Sequence, residues 1–294
     1  WNWNFGDGNN STSYQPSNTY TAPGNYTVTL EGTSNHNCIS SNQIVVTVNS
    51  LPNVFAGNEQ AHCNYGDPVI LCGSGAVTYS WDHGVSDCIG FNQPVGTITY
   101  TITGTDANGC INTDQVDVTI HPLPNISFST PNECLNEPNC FTNTSSIISG
   151  TIDNWDWDFG DGIHDGSFEP CHIYAADGSY TVTLTANSNH GCVDSDQINV
   201  TIYPLPVVDF IVEDHCHLEV AYFENLSTIS SGSLSYNWDL DDGTQFSLEN
   251  FNYQYTDPGT YNITLTATSN HNCISSQSKF LTVHPNPVIE FSAN

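Results

Sequence analysis

The residues of this 294-residue chain that are best suited to chemistry are aspartates in three short Gly/Asp-rich segments. The carboxylates concerned are Asp7, Asp161, Asp239, Asp241 and Asp242. Ca²⁺ takes about six to eight oxygen ligands, so clustered carboxylates and backbone carbonyls could bind it. The structural alternative is that Asp and Gly simply form the turn after a strand. Calcium is the candidate cofactor, with these five carboxylates as its candidate ligands.

Histidines are the second candidate group. Three of them recur at one position of a Ser-Asn-His turn that precedes a cysteine: His36, His190 and His271. They could form a metal-binding or pH-sensitive surface stripe, or they could be turn residues beside a disulfide. His215 and His217 flank Cys216 and form a weaker candidate metal pair.

Catalytic motifs are missing from the sequence. It contains no GxSxG, HExxH or phosphate-binding loop. Each notable group also recurs along the chain, whereas an active site is usually unique. We therefore expect a protein that is not an enzyme.

The charge balance restricts the possible partners. The chain has 31 acidic side chains and one base, Lys279, for a formal net charge of −30 at pH 7. Binding to phosphate requires Lys and Arg, so nucleic acid is excluded, and anionic membranes should be repelled. The composition is 37% hydrophobic and 11% aromatic, which favours a folded chain over an acidic disordered one.

The cysteine content predicts the compartment. Eleven cysteines favour an oxidising environment, so we expect an extracellular or cell-surface location. No apolar stretch approaches the roughly 20 residues that span a bilayer, so no membrane span is expected in this window. The absence of Met suggests that the sequence is a window from a longer secreted protein.

Three independent markers recur with a period of about 80 residues. They are the tryptophans Trp3, Trp81, Trp157 and Trp238, the cysteines Cys38, Cys110, Cys192 and Cys273, and the prolines Pro52, Pro124, Pro206 and Pro287. The predicted units are repeat 1 (1–49, lacking its first strands), repeat 2 (50–121), repeat 3 (122–203), repeat 4 (204–284) and the first strand of a further repeat (285–294). Short proline-containing linkers join them and should restrict bending.

Each unit has the pattern of β-strands. Tyr180, Val182, Leu184 and Ala186 alternate with threonines, and this period of two is typical of half-buried strands. Short strands at regular spacing, separated by Gly, Asn, Asp and Pro turns, predict an all-β fold of sandwich domains in a linear array.

Two motifs carry a family resemblance. Trp157-Asp-Phe-Gly-Asp-Gly followed by Gly178-Ser-Tyr-Thr-Val-Thr-Leu resembles the signature of PKD (polycystic kidney disease) domains. Repeat 1 matches from Trp3, and repeat 4 matches in a divergent form from Trp238. Repeat 2 lacks the Gly-Asp-Gly turn and more resembles the Ig-like repeats interspersed with PKD units in surface proteins of gliding Bacteroidota-type bacteria. The resemblance implies extracellular Ig-like sandwiches that serve as spacers, adhesin segments or carbohydrate-binding accessories.

Cysteine positions suggest pairings if the bridges lie within repeats. Repeat 4 then contains only Cys216 and Cys273, so these two would pair. The same register predicts the other bridges, Cys134–Cys192 and Cys63–Cys110, and the remaining residues would pair as Cys140–Cys171 and Cys72–Cys88. A bridge that closes about 50 residues contributes a few kcal/mol in the chain-entropy model, which matters for small domains.

Cys38 has no partner in this scheme. Its expected partner would lie about ten residues after a proline that precedes Trp1. Two readings stay open: the sequence is part of a longer protein, or residues 285–294 supply the missing first strand of a neighbouring copy by strand addition.

The functional expectation is structural. Tandem bridged repeats without catalytic motifs predict a stalk, filament or adhesin segment whose partners are neighbouring repeats or further copies of the chain. The alternative is a glycan- or protein-binding accessory module of a larger secreted enzyme. Exposed aromatics such as Tyr14, Tyr20 and Tyr253 could stack on surface glycans.

Overall fold

The computed structural model describes residues 1–291, in which regular secondary structure consists of β-strands. The chain divides into two compact units, Trp1–Leu123 and Pro124–Asn294, which are described separately. The all-β fold expected from the sequence is confirmed. No helix within residues 1–291 has the length and apolarity needed to cross a membrane.

Repeat 1 forms one four-stranded sheet with the order β2-β1-β3-β4. Its strands are β1 (Asn2–Asn4), β2 (Asn10–Ser11), β3 (Gly24–Thr33) and β4 (Ile39–Val48). Phe5 and Val28 are buried, while Ile39, Ile44 and Val45 are exposed. Repeat 1 thus presents much of its apolar surface to solvent.

Repeat 2 forms a second four-stranded sheet with the order β5-β8-β7-β6. Its strands are β5 (Gln60–Cys63), β6 (Thr78–Trp81), β7 (Gly96–Thr105) and β8 (Ile111–His121). The short first strand β5 runs parallel to the end of β8. Trp81, Tyr100 and Ile102 lie in a buried apolar cluster that forms the core of this repeat.

Repeat 3 consists of a five-stranded sheet, β10-β17-β16-β13-β14, with the short pairs β11-β15 and β12-β9. Its strands are β9 (Phe128–Ser129), β10 (Glu133–Cys134), β11 (Asn139–Cys140), β12 (Thr142–Asn143), β13 (Ile152–Asp158), β14 (His164–Asp165), β15 (Cys171–His172), β16 (Gly178–Ser188) and β17 (Val193–Tyr203).

Repeat 4 has the same plan, with a five-stranded sheet β19-β25-β24-β21-β22 and a three-stranded sheet β18-β20-β23. Its strands are β18 (Phe210–Ile211), β19 (His215–Cys216), β20 (Ala221–Asn225), β21 (Leu234–Asp239), β22 (Gln245–Phe246), β23 (Phe251–Tyr253), β24 (Gly259–Ser269) and β25 (Ile274–His284).

The alternation read from the sequence determines which side chains form the core. Val182, Leu184 and Ala186 of β16 are buried, and the intervening threonines are only partly so. These residues pack with Trp157 in the core of repeat 3, and Trp238 takes the same place in repeat 4. Each buried Leu or Val contributes about 1.5–3 kcal/mol of transfer free energy, so the strand must keep this register.

The last strand ends at His284. Residues 285–291 form no strand, and the side chains of Val288, Ile289 and Phe291 are exposed. The hypothesis that 285–294 is the first strand of a further repeat stays a prediction, and residues 292–294 lie outside the described range.

Candidate functional site

A disulfide joins repeat 3 to repeat 4. Cys134 in β10 is bonded to Cys273, which follows the turn between β24 and β25, across a sequence separation of 139 residues. The inter-repeat joint is defined here by Cys134 and Tyr203 of repeat 3 and by His271 and Cys273 of repeat 4.

The repeat 3 side of the joint is positioned by a parallel strand pair. Cys134 pairs with Tyr203, the last residue of β17. Asn132 accepts a hydrogen bond from the backbone N–H of Thr201 at 2.8 Å, and the N–H of Leu135 donates to the carbonyl of Tyr203 at 2.9 Å. Cys134 is therefore held at the extreme end of the sheet.

The repeat 4 side is positioned by a tight turn. The Ser269 hydroxyl accepts hydrogen bonds from the N–H groups of His271 at 3.2 Å and Cys273 at 3.1 Å. Asn272 has a φ of 64°, the left-handed conformation that Asn tolerates better than most residues. The turn presents the His271 ring and the Cys273 sulfur in one direction, and the buried Cys273 is 1% exposed.

Noncovalent contacts accompany the disulfide. The ring of His271 stacks on Tyr203 with centroids 3.7 Å apart and planes 6° apart. Ser230 of repeat 4 donates a hydrogen bond to the Asp177 carboxylate of repeat 3 at 3.3 Å. A covalent bond and a ring stack at one place limit the rotation of one repeat against the other.

This joint corrects three predicted pairings. Cys134 bonds to Cys273, so Cys134–Cys192 and Cys216–Cys273 were wrong, and Cys63–Cys110 was wrong because Cys110 is a free thiol.

The reason for the error is the length of the central hairpin. In β16–β17 the ladder runs from Gly178 opposite Ile202 to Asn187 opposite Val193. Cys134 lies at the first end and Cys192 at the second, about 30 Å apart at the usual rise per residue. A disulfide needs α-carbons about 4.4–6.8 Å apart, so a bridge of this kind must reach outside its own repeat.

The remaining cysteines are of two kinds. The predicted bridges Cys72–Cys88 and Cys140–Cys171 are both present, the second between residues that face each other on β11 and β15. Two further cysteines that are disulfide-bonded are Cys63 and Cys192. The free thiols are Cys38, Cys110 and Cys216.

The candidate calcium carboxylates are used in turns. Asp7 accepts hydrogen bonds from the Asn9 N–H and the Asn18 amide, which lower the pKa of its carboxyl. Asp161 accepts from the Ile163 N–H and lies 2.7 Å from Nε2 of His172. Burial raises the pKa of Asp161, but the hydrogen bonds from His172 and Ile163 outweigh it, so the pKa is lowered.

The three acidic residues of repeat 4 are also engaged. Asp239 accepts from the N–H of Asp241, and Asp242 accepts from the Tyr253 hydroxyl at 2.7 Å. Asp241 stands where Gly6 and Gly160 stand in the other repeats, with a φ of 58°, and its carboxylate accepts the N–H of Asn262. Within residues 1–291 no three His, Cys, Asp or Glu side chains are grouped so that they could hold a metal ion.

The histidines are also dispersed. His271 belongs to the joint, His36 lies in the equivalent turn of repeat 1, and His190 in that of repeat 3. His217 contacts the Thr256 carbonyl at 2.9 Å and His215 lies 3.3 Å from the Glu213 carbonyl, so the pair flanking Cys216 is not directed at a common ligand.

The aromatic residues considered for glycan binding differ in exposure. Tyr14 is exposed, and its ring meets Trp1 edge to face. Tyr20 stacks on Tyr26 and donates to the Phe5 carbonyl, and Tyr253 donates to Asp242, so these two rings serve the internal structure.

Sequence reasoning missed one buried tyrosine in repeat 3 and one in repeat 4. Tyr174 donates to the Phe159 carbonyl, and Tyr255 donates to the Leu240 carbonyl, each at 3.1 Å. Burial raises the pKa of both phenols. The signal available was their fixed position six residues before the Tyr180 and Tyr261 of the recognised motif.

Comparisons with known proteins show what the chain is similar to. A family model described as PKD domain matches residues 1–48, 122–202 and 205–283. The chain is 34% identical to the PKD1 domain from Vibrio cholerae metalloprotease PrtV, covering 27% of this chain and 96% of that chain at a TM-score of 0.26. It is 25% identical to the PKD1 domain of Vibrio anguillarum Epp, and this match covers 27% of this chain and 93% of that chain at a TM-score of 0.26. The N-terminal eight Ig domains of Down Syndrome Cell Adhesion Molecule align at 13% identity, and this match covers 97% of this chain and 45% of that chain at a TM-score of 0.48.

Proposed function

Because the chain belongs to the PKD domain family, we propose that it is a non-catalytic extracellular structural protein, a segment of a stalk, filament or adhesin in which disulfides between repeats keep the array stiff. PKD and Ig-like domains are extracellular structural or binding modules, and the disulfides of this chain are typical of an oxidising compartment. The observation that carries the proposal is the Cys134–Cys273 bond between neighbouring repeats.

The bond supports a load-bearing role through its position. A linker between tandem domains ordinarily acts as a pivot, because interfaces between domains in one chain are small. Here a covalent bond from the end of one sheet to the turn of the next repeat supplements the linker, and the Tyr203–His271 stack lies beside it. Force applied along the array is then carried by two connections instead of one.

The surface composition fits the same role. The single base, Lys279, is engaged with Asp209 and lies over the Phe210 ring. The chain offers almost no sites to proteases that cleave after Lys or Arg, and its net charge of −30 keeps it from adhering to nucleic acid. These properties suit a durable extracellular spacer whose partners are other repeats.

The stiffness of the joint can be measured directly. Spin-labelled unnatural residues at the exposed positions Ile148 in repeat 3 and Phe280 in repeat 4 report the distance between these repeats. We expect one narrow distance distribution in the oxidised protein and a broader one in the Cys134→Ser, Cys273→Ser double variant. The matched control is Cys72→Ser, Cys88→Ser, which removes a bridge from repeat 2 and should leave the distribution unchanged. Equal widths in all three proteins would contradict the proposal.

The second candidate is a binding accessory of a larger secreted enzyme. It is favoured by the 34% identity to a PKD domain of a metalloprotease and by the exposed ring of Tyr14 beside Trp1. Reproducible binding of the whole chain to a glycan array, abolished by Tyr14→Ala, would favour this function over the structural one.

A further inference from the structure

The free cysteine Cys216 lies in the same structural position as the bonded Cys134. Cys216 pairs in parallel with His284 at the end of β25, as Cys134 pairs with Tyr203 at the end of β17. Cys216 is exposed and free, whereas Cys134 is bonded to the next repeat.

The hydrogen bonds around the two cysteines are also equivalent. Asp214 accepts the N–H of Thr282 at 2.7 Å, as Asn132 accepts that of Thr201. The N–H of His217 donates to the carbonyl of His284 at 2.8 Å, and the next residue, Leu218, has a φ of 74°. This matches Leu135 and Asn136 in repeat 3, where Asn136 has a φ of 71°. Repeat 4 therefore carries a complete strand half of a joint, defined as Cys216 in β19 and the exposed His284 at the end of β25.

The turn half of the joint is present, also unbonded, in repeat 1. In Ser34-Asn-His-Asn-Cys38 the hydroxyl of Ser34 accepts the N–H groups of His36 at 3.3 Å and Cys38 at 3.2 Å. The corresponding distances to Ser269 are 3.2 Å and 3.1 Å. Asn37 has a φ of 61°, against 64° for Asn272. The sequence Ser-Asn-His-Asn-Cys-Ile-Ser is identical in the two turns.

The third free thiol is a poorer match. In repeat 2 the residue at the histidine position is Asn108, and the carboxylate of Asp106 replaces the serine hydroxyl as acceptor for Cys110. This turn has no ring to stack on His284. Among the free thiols, Cys38 is the one that reproduces the chemistry of Cys273.

We propose that Cys216 and His284 form a docking site for the Ser34–Cys38 turn of a second copy of this chain, closed by a Cys216–Cys38 disulfide and a His284–His36 ring stack. The contact repeats the inter-repeat joint with the two halves supplied by different copies. It is head-to-tail, because the two halves belong to different repeats, and such contacts generate linear assemblies unless they close into a ring. The proposal deepens the filament function proposed above and rests on it.

Closure of the bond requires an oxidant, which is a small-molecule disulfide such as oxidised glutathione. The thiolate of Cys216 attacks one glutathione sulfur, the glutathione disulfide breaks, and one glutathione leaves as thiolate and takes up a proton. The thiolate of Cys38 then attacks the Cys216 sulfur of this mixed disulfide and releases the second glutathione. Two cysteine thiols are oxidised and one glutathione disulfide is reduced to two thiols.

One contact of the existing joint is not reproduced. Ser230 donates to Asp177 between repeats 3 and 4, but Pro258 stands in repeat 4 where Asp177 stands in repeat 3. That hydrogen bond is exposed and contributes little, so the disulfide and the ring stack carry the contact between copies.

The test uses the whole chain in a glutathione redox buffer, with non-reducing electrophoresis and light scattering as readouts. We expect a ladder of linear oligomers that dithiothreitol collapses to monomer. The Cys110→Ser variant is the matched control and should form the same ladder. Cys216→Ser alone and Cys38→Ser alone should stay monomeric, and a mixture of the two should stop at a dimer.

Peptide mapping identifies the bond in that dimer. A Cys216–Cys38 peptide supports the proposal. A ladder that persists in Cys216→Ser, or a crosslink that maps to Cys110 or joins two Cys216 residues, would overturn it, as would a wild-type chain that stays monomeric in the redox buffer. Circular dichroism melting of each serine variant distinguishes loss of the bond from loss of the fold.

The ring stack has its own readout. His284→Ala leaves both thiols in place, and an aromatic pair is worth about 0.5–1.5 kcal/mol, so dimer formation should weaken about two- to tenfold. An unchanged rate and yield would remove His284 from the site. These experiments leave the Cys134–Cys273 bond intact, so their failure would not affect the stiffness measured between repeats 3 and 4.

Discussion

Repeats 3 and 4 have the same plan of strands, an equivalent buried tryptophan and an equivalent pair of tyrosines. They differ in the bonds that hold one strand pair together, β11–β15 in repeat 3 and β20–β23 in repeat 4. In repeat 3, β11 and β15 place Cys140 opposite Cys171, and a disulfide joins them. In repeat 4, β20 and β23 place Tyr222 opposite Asn252 at the equivalent positions. One backbone geometry thus accepts either a covalent bridge or an ordinary polar pair.

Repeat 4 compensates with aromatic packing. Phe251 of β23 stacks on Phe223 at 4.7 Å and on Phe246 at 4.4 Å between ring centroids. It also contains the ion pair of Lys279 with Asp209 at 2.8 Å, where repeat 3 has Ile198 and Ser127. The comparison teaches that the two repeats share their strand pairing, whereas the bonds that hold this strand pair together differ between them.

The largest expected effect comes from removing the disulfide of repeat 3. Cys140→Ser, Cys171→Ser opens a loop with a sequence separation of 31 residues. The chain-entropy model assigns such a loop about 3–4 kcal/mol, so the unfolding transition of repeat 3 should lose that much free energy in denaturant titrations.

The reverse exchange sharpens the comparison. Tyr222→Cys, Asn252→Cys places two thiols on paired residues of repeat 4 and should form a bridge that stabilises this repeat under oxidising conditions. If the engineered bridge forms but repeat 4 is no more stable, the bridge strains the folded sheet by as much as it restricts the unfolded chain. The two strand pairs would then not be interchangeable.

A smaller effect is expected from the buried phenols, which the two repeats share. Tyr174→Phe and Tyr255→Phe leave the Phe159 and Leu240 carbonyls without their donors, at a cost of about 1–3 kcal/mol each near neutral pH.

The pH dependence of these variants follows from the raised pKa of both phenols. A raised pKa in the folded state means that the stabilisation is complete below the ordinary tyrosine pKa of about 10 and is lost as the pH rises above it. Each Phe variant should therefore lose less stability than the wild type between about pH 10 and pH 12, measured by urea titration. Parallel curves for wild type and variant would show that these tyrosines do not control alkaline unfolding.

The smallest effect is expected from the ion pair. The hydrogen bond from Lys279 lowers the pKa of the Asp209 carboxyl, so Lys279→Gln should raise that pKa toward its ordinary value in an NMR titration. The pair is partly exposed to solvent, so its effect on stability should be smaller than that of the bridge or of the buried phenols and should decrease with salt. The double variant Lys279→Ile, Asp209→Ser installs the repeat 3 residues and should fold as the wild type does.

Much of the fold was predictable because it depends on local patterns. The alternation from Tyr180 to Ala186 predicts β16, and the buried face of that strand confirms it. The bridge Cys140–Cys171 was also predictable, since both residues were left over within one repeat. The partner of Cys134 was not predictable, because sequence register places Cys134 and Cys192 in one repeat but does not reveal that the hairpin separates them.

The turn aspartates show the same limit. Their clustering in Asp239, Asp241 and Asp242 suggested a calcium site, but Asp239 accepts a local N–H within its own turn. Asp241 and Asp242 accept from donors that are distant in sequence, the Asn262 N–H and the Tyr253 hydroxyl. Sequence composition records how many carboxylates are close along the chain and does not record which donors already engage them.

The sequence alone determined the period, the strand pattern, the acidic surface and the family, because side-chain alternation and repeated motifs act over a few residues. The tertiary structure decided which cysteines meet, because a disulfide forms only where two α-carbons come within a few ångströms. Two of the bonds, Cys72–Cys88 and Cys140–Cys171, lie within a repeat. The bond between Cys134 and Cys273 forms where the end of the repeat 3 sheet meets a turn of repeat 4.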